Sequence, residues 1–454
     1  LLHVTAAARS SGASPAVERA VSEAAATADA LVRQLHDEVD DAFANLADPI
    51  QADQPAVRIK PEFEASDAWR LQIRPVAERV GALLQGAAAA LAGVRDALDE
   101  LPLRTEDAQP FLDVDRAQRR LVRHYDGVRA FLTESPDACR WMEQLRDAGQ
   151  PSLALSAAPI DVAASLRKVL WDAVPGVVAT SATLSVAGDF RFWRERHGLA
   201  SADEVVLPSP FDHYRSALLG IPRDLPAPDQ PGYLEASARM TVEAIQASGG
   251  GAFVLCTSVR AVREYAEACR RALPPQVPVL AQGDAARPVL LDRFRDLQDA
   301  VLVGTDSFWE GVSVKGDGLR LVVIPRLPFR VPTEPLQQAR HERIAAQGGD
   351  PFRTLTLPQA VLKLRQGYGR LIRSTTDRGV VLLLDRRVID KSYGRVVLAA
   401  LPPARRLSAP WSRVREEMVR FYAERPPVGW RSPAAAGRPE PDEPDMPDGP
   451  WETW

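Results

Sequence analysis

Between residue 226 and about residue 425, short apolar runs alternate with stretches of helical periodicity, and no other property of the sequence restricts the fold as far. The runs cover residues 252–256, 277–280, 300–303, 319–324 and 380–384. Most of their positions are Val, Leu, Ile or Ala, so strands built from them would be buried on both faces. Helix candidates lie between them at 235–247, 259–272, 288–296, 336–346 and 357–374. A strand buried on both faces needs a helical layer above and below it, and this alternation specifies a parallel α/β sheet.

The remainder is patterned differently. Residues 1–150 are helical in pattern, most clearly at 17–39 and 76–101, with a polar, proline-bearing loop or short extended piece at 50–61. Residues 151–225 hold a helix at 162–171, then an apolar run at 176–180 that reads as a strand leading into Ser181-Ala182-Thr183-Leu184. The tail is rich in proline and acid and is expected to be disordered, with Trp451 and Trp454 able to dock on something. At 454 residues the chain has room for two or three domains. A net charge of −4 excludes a globally basic surface, so any nucleic-acid contact must come from a local groove. The absence of an 18-residue apolar span and of a signal-peptide pattern points to a cytoplasmic protein. Cys139, Cys256 and Cys269 are too few and too scattered for a disulfide framework, a zinc site or a four-cysteine iron–sulfur cluster. The chain starts at Leu1, not Met, within an amphipathic-looking stretch. The expectation is that an N-terminal part is missing, a processed product being the other reading.

The strongest chemical signal is Gln366-Gly367-Tyr368-Gly369-Arg370-Leu371-Ile372-Arg373. At about 100° per residue, Gln366, Arg370 and Arg373 fall within roughly 60° of one another on a helix. Gly367 and Gly369 would each cost about 1 kcal/mol inside that helix, which suggests that the backbone comes close to something. A polyanion explains the set: guanidinium forks match phosphate oxygens, and an arginine at the γ-phosphate recurs in NTP-hydrolysing motors. An ordinary solvated basic helix is the alternative. Other motifs sit just past strand ends, where open α/β sheets bind ligands. Ser181-Ala182-Thr183 offers small residues and hydroxyls, or is a plain Ser/Thr turn. Thr257-Ser258 offers hydroxyls and backbone N–H groups to a phosphate, or caps a helix. In Gly304-Thr305-Asp306-Ser307-Phe308-Trp309-Glu310-Gly311-Val312, two large aromatics beside a glutamate would stack on bases, wedge against a neighbouring domain, or simply pack in the core.

Taken in order, these motifs resemble the C-terminal two-thirds of a superfamily 2 DNA helicase of the DinG/XPD type. Ser181 to Leu184 is similar to motif III, with Pro159-Ile160-Asp161-Val162-Ala163 as its lead-in. Ser209-Pro210-Phe211-Asp212 is similar to the segment entering the second motor domain. Thr257-Ser258 resembles motif IV, Ser307 to Val312 motif V, and Gln366-x-x-Gly369-Arg370-x-x-Arg373 motif VI. The resemblance covers about residues 155–405. It implies an α/β fold: a RecA-like parallel-sheet motor domain preceded by a helical arch insertion. Its parts would be the arch at 1–150, the end of the first motor domain and crossover at 151–225, the second motor domain at 226–425, and a disordered tail at 426–454.

The activity so implied is an ATP-dependent DNA helicase that couples ATP hydrolysis to single-strand translocation and duplex unwinding in repair or replication. Arg370 and Arg373 would supply transition-state charge and Gln366 would orient nucleotide or water. Ser181, Ala182, Thr183, Glu310 and Gly311 would couple nucleotide state to the grip on DNA. Thr257, Ser258, Ser307, Phe308 and Trp309 would hold the strand. The implied cofactors are ATP and Mg²⁺, with no metal held by this chain. The implied partner is single-stranded or forked duplex DNA, bound by a monomer away from membranes.

Two departures stand out. The phosphate-binding loop, Gly-x-x-x-x-Gly-Lys-Ser/Thr, and the Asp-Glu-Ala-His box for Mg²⁺ are absent from these residues, and the family's iron–sulfur cysteines, where present, would also lie outside them. Ser313 stands where the family often has Asp, so carboxylate chemistry is in doubt there. The chain by itself is therefore expected to hydrolyse no ATP. A complete, non-catalytic nucleic-acid-binding or partner-docking protein of helicase descent is the alternative.

Overall fold

The computed structural model describes Thr5 and residues 14–46, 56–99, 108–147, 150–309, 316–330 and 333–427. The expected disordered tail at 426–454 lies outside the described residues but for its first two. The chain divides into two compact units: residues 1–173, 196–198 and 331–351 in one, residues 174–195, 199–330 and 352–454 in the other.

In the first unit, helices α1 (Pro15–Leu46), α2 (Arg74–Asp99) and α3 (Ala108–Leu132) share a core. Val21, Ala25 and Ala28 of α1 meet Leu91, Val94 and Leu98 of α2 and Val114 of α3. Spacings of three and four put each set on one helix face. The unit also holds a three-stranded antiparallel sheet of β1 (Ala56–Arg58), β2 (Ala138–Asp147) and β3 (Gln150–Pro159), which the helical expectation for residues 1–150 missed. Ladder pairing from Ala138↔Pro159 to Asp147↔Gln150 holds the hairpin, while Arg140, Glu143 and Arg146 hide its alternation in the sequence. Helix Pro335–Ala346 belongs to this unit despite its late place in the chain. Glu342 pairs with Arg58 (2.7 Å) and Lys60 (2.8 Å), Arg343 with Asp137 (2.7 Å), and Ala339 packs with Cys139 and Ile160.

The second unit is built on a seven-stranded sheet in the order β10-β4-β9-β8-β5-β7-β6, every neighbouring pair parallel. Its elements are β4 (Ala217–Pro222), α4 (Tyr233–Ser248), β5 (Ala252–Leu255), α5 (Val259–Ala272), β6 (Val279–Ala281), α6 (Arg287–Asp296), β7 (Val301–Gly304), β8 (Leu321–Ile324), α7 (Leu357–Tyr368), β9 (Gly379–Leu383), α8 (Gly394–Ala400), β10 (Arg405–Ala409) and α9 (Trp411–Glu424). The period-two rule sorts the strand residues. Phe253, Leu255, Leu302, Val322, Ile324, Val381 and Leu383 face α6, α7 and α8. Val254, Val301, Val303, Leu321, Val323, Val380 and Leu382 face α4, α5 and α9. Each such side chain, fully buried, contributes about 1.5–3 kcal/mol. Both faces are covered, as the alternating sequence requires. The sheet begins at Ala217, upstream of the expected boundary at 226.

Two local expectations fail. Residues 176–180 are not a strand: no described strand pairs with them, and Val178 is 88% exposed. The helix expected over 357–374 ends at Tyr368. Among the described residues no helix is long and apolar enough to cross a membrane.

Candidate functional site

The loops past β5 and β7 carry the first group of candidate residues. After β5, Ser258 caps α5, its Oγ accepting the Ala261 N–H at 3.2 Å. The capping alternative is therefore realised for Ser258, which is exposed, while Thr257 beside it is half-buried. After β7, the Thr305 N–H and hydroxyl both donate to Gln282 Oε1, at 2.7 and 2.8 Å. The turn Asp306–Trp309 then folds back over the sheet. Phe308 and Trp309 are 1% and 0% exposed, in the same core as Phe253 and Leu255. The expected base stacking is thereby corrected: with neither ring face in reach of a strand, core packing wins. A Cβ on Gly304 would lie 2.4 Å from the Phe308 ring, which is why glycine ends β7. Ser307 lies in this turn, while Glu310, Gly311, Val312 and Ser313 lie outside the described residues.

The glycines of the Gln366–Arg373 segment have a structural cause. A Cβ on Gly367 would sit 2.9 Å from the Trp309 ring, so the close approach inferred from the sequence is to a core indole and not to a ligand. Gly369 closes α7, and the chain continues in a turn: the Arg370 N–H donates to the Gly367 carbonyl (3.2 Å), that of Leu371 to Tyr368 (3.1 Å). Gln366 therefore lies on α7, while Arg370 and Arg373 lie beyond it, and the single-helix-face geometry is corrected accordingly. Buried Leu371 and Ile372 anchor the turn from below.

The two guanidiniums nevertheless lie close enough for the charge of one to act on the other. Arg370 Nε donates to the Trp309 carbonyl at 2.8 Å. Burial first, and the Arg370 charge second, hold Arg373 below the ordinary arginine value, with Asp377 pulling the other way. Both side chains are half-buried, as is Gln366. Arg365, likewise lowered by burial, donates from Nη1 to the Ser185 carbonyl at 3.2 Å. It thus joins α7 to the stretch just after Ser181-Ala182-Thr183. That tripeptide is a Ser/Thr turn: the Thr183 N–H donates to Ser181 Oγ (3.1 Å), and the two hydroxyl oxygens are 3.2 Å apart. Ser181 and Ala182 are exposed.

Sequence reasoning missed Arg365 and Asp377. The spacing Ser374-x-x-Asp377 before a β-run was a readable turn signal, obscured by extending the helix to 374. Burial pushes the Cys269 thiol up to about 12 and Cys256 higher still, so neither serves as a nucleophile. Among the described residues no group of His, Cys, Asp and Glu is arranged to hold a metal ion.

A parallel sheet wound on both faces, with an arginine pair beyond α7 and a helix-rich unit threaded into its sequence, places the protein among RecA-like motor folds with a helical insertion. More narrowly, residues 241–404 match the family described as Helicase C-terminal domain. Over 269 residues the chain is 43% identical to ATP-dependent DNA helicase YoaA of Escherichia coli (strain K12), covering 59% of this chain and 41% of that protein. It is 39% identical over 267 residues to ATP-dependent helicase DinG of Mycobacterium tuberculosis (strain ATCC 25177 / H37Ra), covering 58% and 40%. A solved structure titled XPD helicase matches with a TM-score of 0.52 at 13% identity, over 84% of this chain and 64% of its own, a likeness of fold alone. The chain thus spans about two fifths of the length of these curated relatives.

Proposed function

We propose that this chain contributes the second motor domain of a DinG-type ATP-dependent DNA helicase, which couples ATP hydrolysis to single-strand translocation and duplex unwinding. The observation that supports this best is the arginine pair. Both are half-buried, and burial first, then the Arg370 charge, hold Arg373 low; charged forks placed together in this way suit a phosphate anion. An arginine at a transferring phosphoryl group is worth on the order of 10³–10⁵ in rate. Gln366, on the preceding helical turn, would orient nucleotide or water. Ser181 and Thr183 would report nucleotide state through Ser185 and Arg365 to α7. Thr257 and Ser258, with the turn bearing Ser307, would hold single-stranded or forked DNA. Phe308 and Trp309 would act from the core, as the floor under that turn.

ATP would arrive with Mg²⁺, which supplies charge neutralisation at the phosphates. Among the described residues no group of His, Cys, Asp and Glu is arranged for that ion, and the sequence holds no phosphate-binding loop, so the joined first motor domain would supply both. The test is DNA-stimulated ATP hydrolysis by a protein that joins this chain to a phosphate-binding first motor domain. Turnover abolished by Arg373→Ala supports the proposal, and turnover indifferent to it overturns it. The rival is a non-catalytic nucleic-acid-binding protein of helicase descent. Genomic DNA upstream of Leu1 discriminates. An in-frame phosphate-binding loop supports the helicase; a stop codon followed by a start near Leu1 supports the rival.

A further inference from the structure

Asp377 sits between Arg373 and β9 and is 3% exposed. Its carboxylate accepts four hydrogen bonds, from chain segments far apart in the sequence. Oδ2 accepts the backbone N–H of Arg373 and that of Ser374, both at 2.8 Å. Oδ1 accepts the Ser374 hydroxyl at 2.7 Å and the Gly316 N–H at 3.1 Å. Gly316, at φ +68°, is the first described residue after segment 310–315, which follows the Phe308–Trp309 turn. One carboxylate thus ties Gly316, ahead of β8, to the peptide of Arg373, ahead of β9. A carboxylate buried this deeply persists only with its lone pairs filled, and bonds to an ionised acceptor are roughly twice as strong as neutral ones.

We propose that Asp377 is a positioning residue that fixes the Arg373 peptide against Gly316, ahead of β8, and so sets where the Arg373 guanidinium is held. The catalytic half of this inference rests on the nucleotide role assigned to Arg373 above; the mechanical half does not.

The mechanical half is read on this chain by amide hydrogen exchange. Asp377→Asn leaves one acceptor oxygen and turns an amide donor toward the remaining N–H groups. Exchange at Gly316, Arg373 and Ser374 should rise together by at least about tenfold while β5 and β7 keep their protection. A rise at Ser374 alone, or across the whole sheet, overturns the tie. The catalytic half is read in the protein that joins this chain to a phosphate-binding domain. There Asp377→Asn should lower kcat about tenfold or more with little change in KM for DNA, and cost nothing further in an Arg373→Ala background. Losses that add in the double variant overturn it, because a merely structural role would add. If Asp377→Asn does not fold, Ser374→Ala keeps the carboxylate and removes one of its four bonds, together with the two that the Ser374 hydroxyl shares with Thr376. It should lower kcat by about two- to fivefold and be silent beside Arg373→Ala, and no loss, or an additive one, overturns the proposal. A parent protein that hydrolyses no ATP defeats the helicase proposal, and the exchange result then decides the tie on its own.

Discussion

Arg370 and Arg373 rest on a turn whose anchoring comes from Leu371, Ile372 and Asp377, so the guanidiniums can be removed with the support left in place. In a protein completed by a phosphate-binding domain, Arg370→Ala or Arg373→Ala should cut DNA-stimulated ATPase by at least about 10²-fold, short of the full range for one arginine because two share the charge. Lysine at either position should rescue poorly, since it keeps the charge and loses the planar fork. Steady-state kinetics beside thermal melting checks this: activity that falls only in step with melting would mean the arginines hold the fold. Gly367 makes the opposite prediction. Gly367→Ala drives a methyl into the Trp309 ring and should cost roughly 1–3 kcal/mol in urea unfolding, with activity lost through stability. The residue identities of this region were legible because arginine forks and interior glycines are chemically unusual. What the glycines face was not legible, since the contact between Trp309 and Gly367 spans a sequence gap that no local pattern encodes. His213 adds a pH signature. Burial holds its imidazole below the ordinary value, against a smaller upward pull from Asp212, so its share of stability is present above the unfolded value near 6.5 and lost as pH falls through the folded value. The acid-side slope of stability against pH should therefore flatten in His213→Gln.

Helix α5 spans Val259–Ala272, as its periodicity dictates, because Ser258 caps it and Val262, Tyr265, Ala266 and Cys269 mark one buried face. Strands β5, β7, β8 and β9 were equally legible, being apolar on both faces. β4 and β10 were not: Ala217–Pro222 holds a glycine and a proline, and Arg405–Ala409 is half polar, so only their parallel pairing with each other and with β9 makes them strands. Residues 176–180 show the converse. β-branched residues favour a strand, yet no described strand pairs with them and they are exposed. The double duty assigned to Ser258 can be separated at the start of α5. Ser258→Ala should cost about 1 kcal/mol of stability through the lost cap. Ser258→Asp keeps the cap and adds a negative charge, so it should leave stability unchanged while weakening single-strand binding in a fluorescence titration. Equal binding by both variants would remove Ser258 from the strand-holding set.

A net charge of −4 spread over 454 residues means that any hold on DNA is local and electrostatic. The chain by itself should bind single strands weakly, with affinity dropping steeply between about 50 and 200 mM salt as counterions are released. Binding that ignores salt, or that prefers duplex, counts against the proposed function. The placement of helix Pro335–Ala346 has a further bearing, on the order in which the protein can be made. Its partners Arg58, Lys60, Asp137, Cys139 and Ile160 leave the ribosome long before it does, so the first unit cannot close until translation has run through most of the sheet that the second unit owns. At about 5–20 residues per second, the interval between residues 160 and 346 is on the order of ten to forty seconds, during which the Cys139 side of that unit stays uncovered. Nascent chains halted before Pro335 emerges should leave Cys139 open to a thiol reagent, and those halted after Ala346 emerges should protect it. Synthesis of this protein therefore includes a vulnerable wait, set by where one helix is written in the sequence.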